Sequence, residues 1–166
     1  MAWQDEMTTI VRYLIDDVDS PVTYSDSRVQ QTILVAAQQV QDCLTFPKDY
    51  TINIPASGLT PDPTSATRDD AFINLVSLKT ACLFDRAKFT NAISQGIKVK
   101  DGSSSIDTTG SFGGYQFILK EGNCKDYEDA KLQYQIQGAN GTAPGEAIIG
   151  PYRALYYQHH NRSDRC

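Results

Sequence analysis

The chain contains no Cys-x-x-Cys pair, no Gly-x-Ser-x-Gly elbow and no long apolar run. Each absence removes a class of function. Cys43, Cys82, Cys124 and Cys166 are spread too widely for a structural zinc site. Without the elbow there is no α/β-hydrolase nucleophile. Apolar runs of only a few residues predict neither a membrane-spanning helix nor a signal peptide. Gly110-Ser111-Phe112-Gly113-Gly114 is glycine-rich, but no Lys-Ser/Thr follows, so it reads as a hinge or turn and not a phosphate loop. Histidine is scarce: His159 and His160 are the whole supply, and both lie close to the C-terminus. Extended termini are poor scaffolds for positioned catalysis. With Cys166 the two could hold a stray metal, but their spacing matches no structural zinc pattern. We therefore expect no enzyme, no catalytic residue, no cofactor and no metal site.

Net positive charge is also missing. The 166 residues carry a formal charge of −5, which disfavours a nucleic-acid binder held by phosphate contacts. The charge is uneven. From Tyr152 onward three arginines (Arg153, Arg162, Arg165) face one acid, Asp164, leaving the remainder at −7. An acidic body with a mildly basic tail suits assembly between unlike surfaces, although ordinary solubilising charge explains it as well. The four cysteines, three of them in expected helices, read as reduced thiols in a cytosolic protein.

What the chain does have is a peculiar last segment. Gly138 to Gly145 is a breaker-rich linker, yet the residues beyond it are rich in Ile and Tyr. A merely disordered tail is polar and poor in aromatics. The expected organisation is a helical core over 1–137, followed by a flexible linker and an extended C-terminal docking arm over 138–166. The docking residues are Ile148, Ile149, Pro151, Tyr152, Leu155, Tyr156 and Tyr157. Tyrosines anchor interfaces because they bury much area at low entropic cost. The alternative is that the arm folds back over its own core.

The core reads as mainly α: a small bundle of about four helices with a short β element. Trp3, Met7, Ile10, Val11 and Leu14 recur at helical spacing and predict a first helix ending before Asp19-Ser20-Pro21. Ser25-Asp26-Ser27 offers capping oxygens, with a capping-box pattern at Ser27 to Gln30. Val29, Ile33, Ala36, Ala37, Val40 and Leu44 then form one stripe. The opposite face is rich in glutamine (Gln30, Gln31, Gln38, Gln39, Gln41), fit for lateral hydrogen bonds or for plain solvent exposure. Tyr50 to Ile54 alternates as a strand. Thr67-Arg68-Asp69-Asp70 opens the longest helix, which runs to about Ile93 with an apolar arc broad enough for contact on more than one side. Ile97 to Lys100 is a possible strand and Ser103 to Ser111 a loop. Helical character returns from about Phe112 to Gln137, weakened at Gly122-Asn123. Asp16-Asp17-Val18-Asp19 and Asp69-Asp70 are acidic clusters that a metal-dependent nuclease could use, but capping and solvation explain them more simply.

Several segments, taken together, resemble the head–tail adaptor (connector) proteins of tailed bacteriophages. They are Tyr24-Ser25-Asp26-Ser27-Arg28 leading into a helix with Ala36-Ala37-Gln38; Phe72 to Cys82 on the long helix; Ile97-Lys98-Val99-Lys100-Asp101-Gly102 before Ser104-Ser105-Ile106-Asp107; and Tyr127-Glu128-Asp129-Ala130-Lys131 on the last helix. The similarity spans roughly residues 8 to 137 and returns near Ile149-Gly150-Pro151-Tyr152. The linker at 138–145 and the His/Arg-rich end at 159–165 depart from it. The resemblance implies a virion protein made in the host cytoplasm and built into the neck. It implies a homo-oligomeric ring, typically a dodecamer, under the portal protein. Such a ring joins capsid to tail after DNA packaging and presents a surface to the next tail component. DNA would pass through the channel without specific binding, repelled by an acidic wall, and no membrane is involved. The alternatives are another neck or tail-completion protein, a stopper or terminator, and less readily a metal-dependent nucleic-acid-processing enzyme.

Overall fold

The computed structural model describes residues 3–95, 98–101, 104–107 and 120–140. The fold is mainly α. Four helices, α1 (Trp3–Leu14), α2 (Asp26–Cys43), α3 (Asp70–Gln95) and α4 (Asn123–Asn140), carry the core. Two antiparallel hairpins join them: β1 (Thr51–Asn53) with β2 (Gly58–Thr60), and β3 (Lys98–Asp101) with β4 (Ser104–Asp107).

The central position of α3 follows from its sequence. Phe72, Ile73, Leu75, Val76, Leu78, Ala81, Cys82 and Phe84 are all buried. They surround the helix instead of lining one stripe, so α3 is covered by α1, α2 and α4. On α1, Trp3, Met7 and Val11 repeat every fourth residue and continue into Ile15, making one narrow buried edge. On α2, Val29, Ile33, Ala36, Ala37 and Val40 are fully buried, as the stripe requires, and Leu34 joins them. Gln31, Gln38 and Gln39 face outward.

The caps refine the sequence reading. The Ser25 side chain accepts the Arg28 N–H at 3.4 Å, so Ser25 is the α2 cap and Ser27 lies inside the helix. Asp69, not Thr67, caps α3: its Oδ1 accepts the Phe72 N–H at 3.1 Å and its Oδ2 accepts the Tyr50 hydroxyl at 2.8 Å. Thr67 instead receives the Lys48 ammonium through its carbonyl and hydroxyl oxygens. Two strands stand where the sequence alone suggests none. Gly58-Leu59-Thr60 pairs with β1, and Ser104–Asp107, inside the expected 103–111 loop, pairs with β3. Propensity alone does not mark Ser-Ser-Ile-Asp as a strand; the facing strand β3 supplies the ladder bonds.

Gly122 interrupts the last helical region, as its position suggests. Its carbonyl accepts the Lys125 and Asp126 N–H groups and restarts the helix as α4. That helix runs to Asn140, past the expected boundary at 137. The reduced-thiol expectation is overturned. Cys82 on α3 and Cys124 on α4 form a disulfide, and Cys43 is disulfide-bonded as well. Periodicity placed Cys82 and Cys124 on apolar helix faces; only the packing of α4 on α3 brings their Cα atoms to 4.5 Å.

Candidate functional site

Two surface regions of the body stand out, both built from apolar side chains left in water. The first is made by the turn from α1 to α2. α1 closes with a 6→1 bond from the Asp17 N–H to the Arg12 carbonyl (2.9 Å) and a 5→2 bond from the Asp16 N–H to the Tyr13 carbonyl (3.4 Å). Asp16 occupies the left-handed position usually given to glycine, at φ 55°. This reversal buries the next carboxylate, Asp17. Its oxygens accept the Thr23 N–H (2.6 Å), the Tyr24 N–H (3.3 Å) and the Arg12 guanidinium (2.6 Å). Arg12 reaches on to the Tyr24 carbonyl (2.8 Å) and to Asp26 on α2 (2.5 Å). Burial raises the Asp17 pKa, but the Thr23 and Tyr24 bonds and the Arg12 charge outweigh it and hold the carboxyl below its ordinary value.

One buried carboxylate therefore pins both ends of the 18–22 loop. Val18 and Val22, at the two ends of that loop, are each 48% exposed, and Tyr13, in the last turn of α1, is 72% exposed. Asp16 and Asp19 are exposed along the same stretch. Behind the loop, Tyr24 packs on Phe84 with ring centroids 4.6 Å apart, and the Arg28 guanidinium lies 4.9 Å from the Tyr24 ring centroid. Asn123 at the start of α4 donates to the Leu14 carbonyl (3.1 Å) and to the buried Asp85 (2.9 Å), which fixes α4 against this end.

The second region is the outer face of α4. Leu132 and Ile136, one turn apart, are 45% and 37% exposed, while Tyr127, Ala130 and Tyr134 turn inward. Lys79 of α3 lies over the Tyr127 ring at 4.7 Å. Burial, with Arg86 adding to it, lowers the Lys79 pKa from the ordinary lysine value. The Tyr127 hydroxyl is buried with no hydrogen-bond partner, and burial pushes its pKa up to about 12.

The expected docking residues Ile148, Ile149, Pro151, Tyr152, Leu155, Tyr156 and Tyr157 lie outside the described residues, as do His159, His160 and Cys166. The acidic clusters do not converge. Asp17 is buried in its ion pair, while Asp16 and Asp19 point to solvent. Asp69 caps α3, and Asp70 pairs with Arg68 at 2.5 Å. Among the described residues no group of three or more His, Cys, Asp or Glu could hold a metal ion. No helix there is long and apolar enough to cross a membrane. Reading by periodicity missed the exposure of Tyr13, Val18 and Val22. The available signal was two valines flanking Asp19-Ser20-Pro21, apolar side chains in a turn that no helix or strand period would bury.

No protein-family model, no curated protein and no solved structure matches the chain.

Proposed function

We propose that the protein is a structural virion component, a head-to-tail adaptor that forms a ring under the portal and links capsid to tail after DNA packaging. The observation that carries this reading is the order of elements beneath the resembling segments. Tyr24 to Arg28 leads into α2, Phe72 to Cys82 lies on α3, Lys98 to Asp107 is a hairpin, and Tyr127 to Lys131 lies on α4. The body is a small helical bundle with exposed Tyr13, Val18, Val22, Leu132 and Ile136. A body of this kind contributes modest contacts that become strong when a heterologous ring closes. The disulfide between α3 and α4 suits a particle that leaves the reducing cytosol, since such bonds persist outside it. The arm residues from Ile148 to Tyr157 add an aromatic docking segment for the portal, for the next neck component or for another copy. In this reading the net acidity keeps the DNA from adhering to the channel wall.

Electron microscopy of the particle neck tests the assignment. The expected result is a ring of this chain between the portal and the tail. Its absence from a complete neck removes the adaptor reading.

A further inference from the structure

We propose that Cys82 and Cys124 form a reversible thiol–disulfide exchange site, in which the Cys124 sulfur reacts with small thiols and disulfides while the helical bundle stays folded. The site goes beyond the adaptor reading and stands whether or not the chain forms a ring.

The two cysteines are placed unequally. Cys82 lies midway along α3, the helix covered by α1, α2 and α4, and is 1% exposed. Cys124 is the second residue of α4 and keeps 8% exposure. Reaching Cys82 requires the bundle to come apart. Reaching Cys124 requires only the first turn of α4 to open, and helix ends open locally at far lower cost than cores. A helix N-terminus also favours the thiolate, the form of cysteine that reacts. The opened thiol has an acceptor in place, because the Cys124 Sγ lies 3.6 Å from the Cys82 carbonyl oxygen.

α4 is held on both sides of the sulfur pair without the bond. On one side Asn123 donates to the Leu14 carbonyl and to Asp85. On the other, Lys79 covers the Tyr127 ring at 4.7 Å. Farther along, the Tyr134 ring meets Phe46 at 5.0 Å and its hydroxyl donates to the Thr45 carbonyl. The sulfurs therefore stay neighbours once the bond is broken, and closing it again is an intramolecular step.

The exchange needs one co-reactant, a small thiol. Its thiolate attacks the Cys124 Sγ and forms a mixed disulfide there; the bond to Cys82 breaks, and Cys82 leaves as a thiolate and takes up a proton. A second thiolate attacks the small-molecule sulfur of the mixed disulfide. This releases the oxidised small disulfide and the Cys124 thiolate, so an electron pair has passed to the protein. Closure is the reverse: Cys124 attacks a small disulfide, and Cys82 then attacks the Cys124 Sγ and expels the small thiolate.

The test treats the full chain with dithiothreitol in the absence of denaturant, quenches it with iodoacetamide at successive times and locates the label by peptide mass mapping. Label is expected at Cys124 well before Cys82. The opening rate is expected to change little with sub-denaturing urea, since freeing one turn exposes little surface. The near-ultraviolet circular dichroism of the reduced chain is expected to persist. Equal labelling, a rate that follows the full urea slope of global unfolding, or loss of the tertiary signal overturns the proposal, each showing that the bond opens only with the bundle. Asn123→Ala frees the start of α4 and is expected to speed opening several-fold with the same weak urea dependence; an unchanged rate overturns the first turn as the point of entry. Dithiobis(nitrobenzoate) is expected to attach to Cys124 in Cys82→Ala, but to Cys82 in Cys124→Ala only after denaturant is added. The opposite order of reactivity overturns the assignment of Cys124 as the reacting sulfur.

Discussion

The two ends of the bundle are held by opposite means. At the far end, rings do it. Tyr50 stacks on Phe72 at 3.9 Å, Phe46 meets Phe72 edge-on at 5.1 Å, and Tyr134 of α4 closes on Phe46 at 5.0 Å. The polar groups there serve the rim: the Tyr50 and Tyr134 hydroxyls bond Asp69 and the Thr45 carbonyl. At the loop end a buried carboxylate and a guanidinium hold the chain beside the Tyr24–Phe84 ring pair, and Tyr13, Val18 and Val22 stay outside. An end secured by rings has used its hydrophobic surface on itself. An end secured by charges keeps Tyr13, Val18 and Val22 available for another molecule.

Substitutions can break this contrast, beginning with the largest effect. Phe72 touches two other rings and is fully buried, so Phe72→Ala is expected to cost about 3–5 kcal/mol in urea unfolding, through lost transfer energy and the cavity left behind. A loss under 1 kcal/mol would show that the ring cluster is not the anchor described. Between the two ends, the Cys82–Cys124 bond closes a loop spanning 42 positions. Replacing both cysteines by alanine is expected to cost about 2–4 kcal/mol, by releasing that restraint on the unfolded chain. The same unfolding curve with and without reductant checks it, since the double variant should no longer respond through this pair.

At the loop end, Asp17→Asn is expected to cost about 2–3 kcal/mol, because Arg12 and two backbone N–H groups lose their anionic acceptor. Its pH signature separates it from a packing effect. The folded Asp17 pKa lies below its ordinary value of 3.8. Its contribution is therefore complete above that value and is lost as pH falls through the folded one. Acid titration of stability should show a shallower low-pH decline in Asp17→Asn than in the parent; identical slopes would mean that Asp17 does not supply this linkage. The smallest effect has the opposite sign. Asp16 sits at φ 55°, where glycine carries no side-chain penalty. Asp16→Gly is expected to raise stability by about 0.5 kcal/mol, read as a shift in the urea midpoint with an unchanged slope.

Much of the body was legible because its signals are local. The stripe from Val29 to Val40 and the edge from Trp3 to Val11 need only helical periodicity. The wide apolar arc of α3 announces a helix covered on several sides. Gly122 announces a break whatever surrounds it. The second hairpin was not legible at Ser104 to Asp107, where strand character comes from the facing chain. The candidate surface was hidden for a related reason. Val18 and Val22 read as ordinary loop residues until Asp17 is seen to draw the loop shut beneath them.

By itself the sequence determined the helices, their inward faces, the acidic body and the basic tyrosine-rich segment, because composition and a 3.6-residue period act over neighbouring positions. Only the tertiary structure decided that Cys82 meets Cys124, that Asp17 is buried while Asp16 and Asp19 are not, and that the loop valines remain in water. Those outcomes depend on which distant segments come together, and hydrogen-bond partners and burial are properties of that meeting.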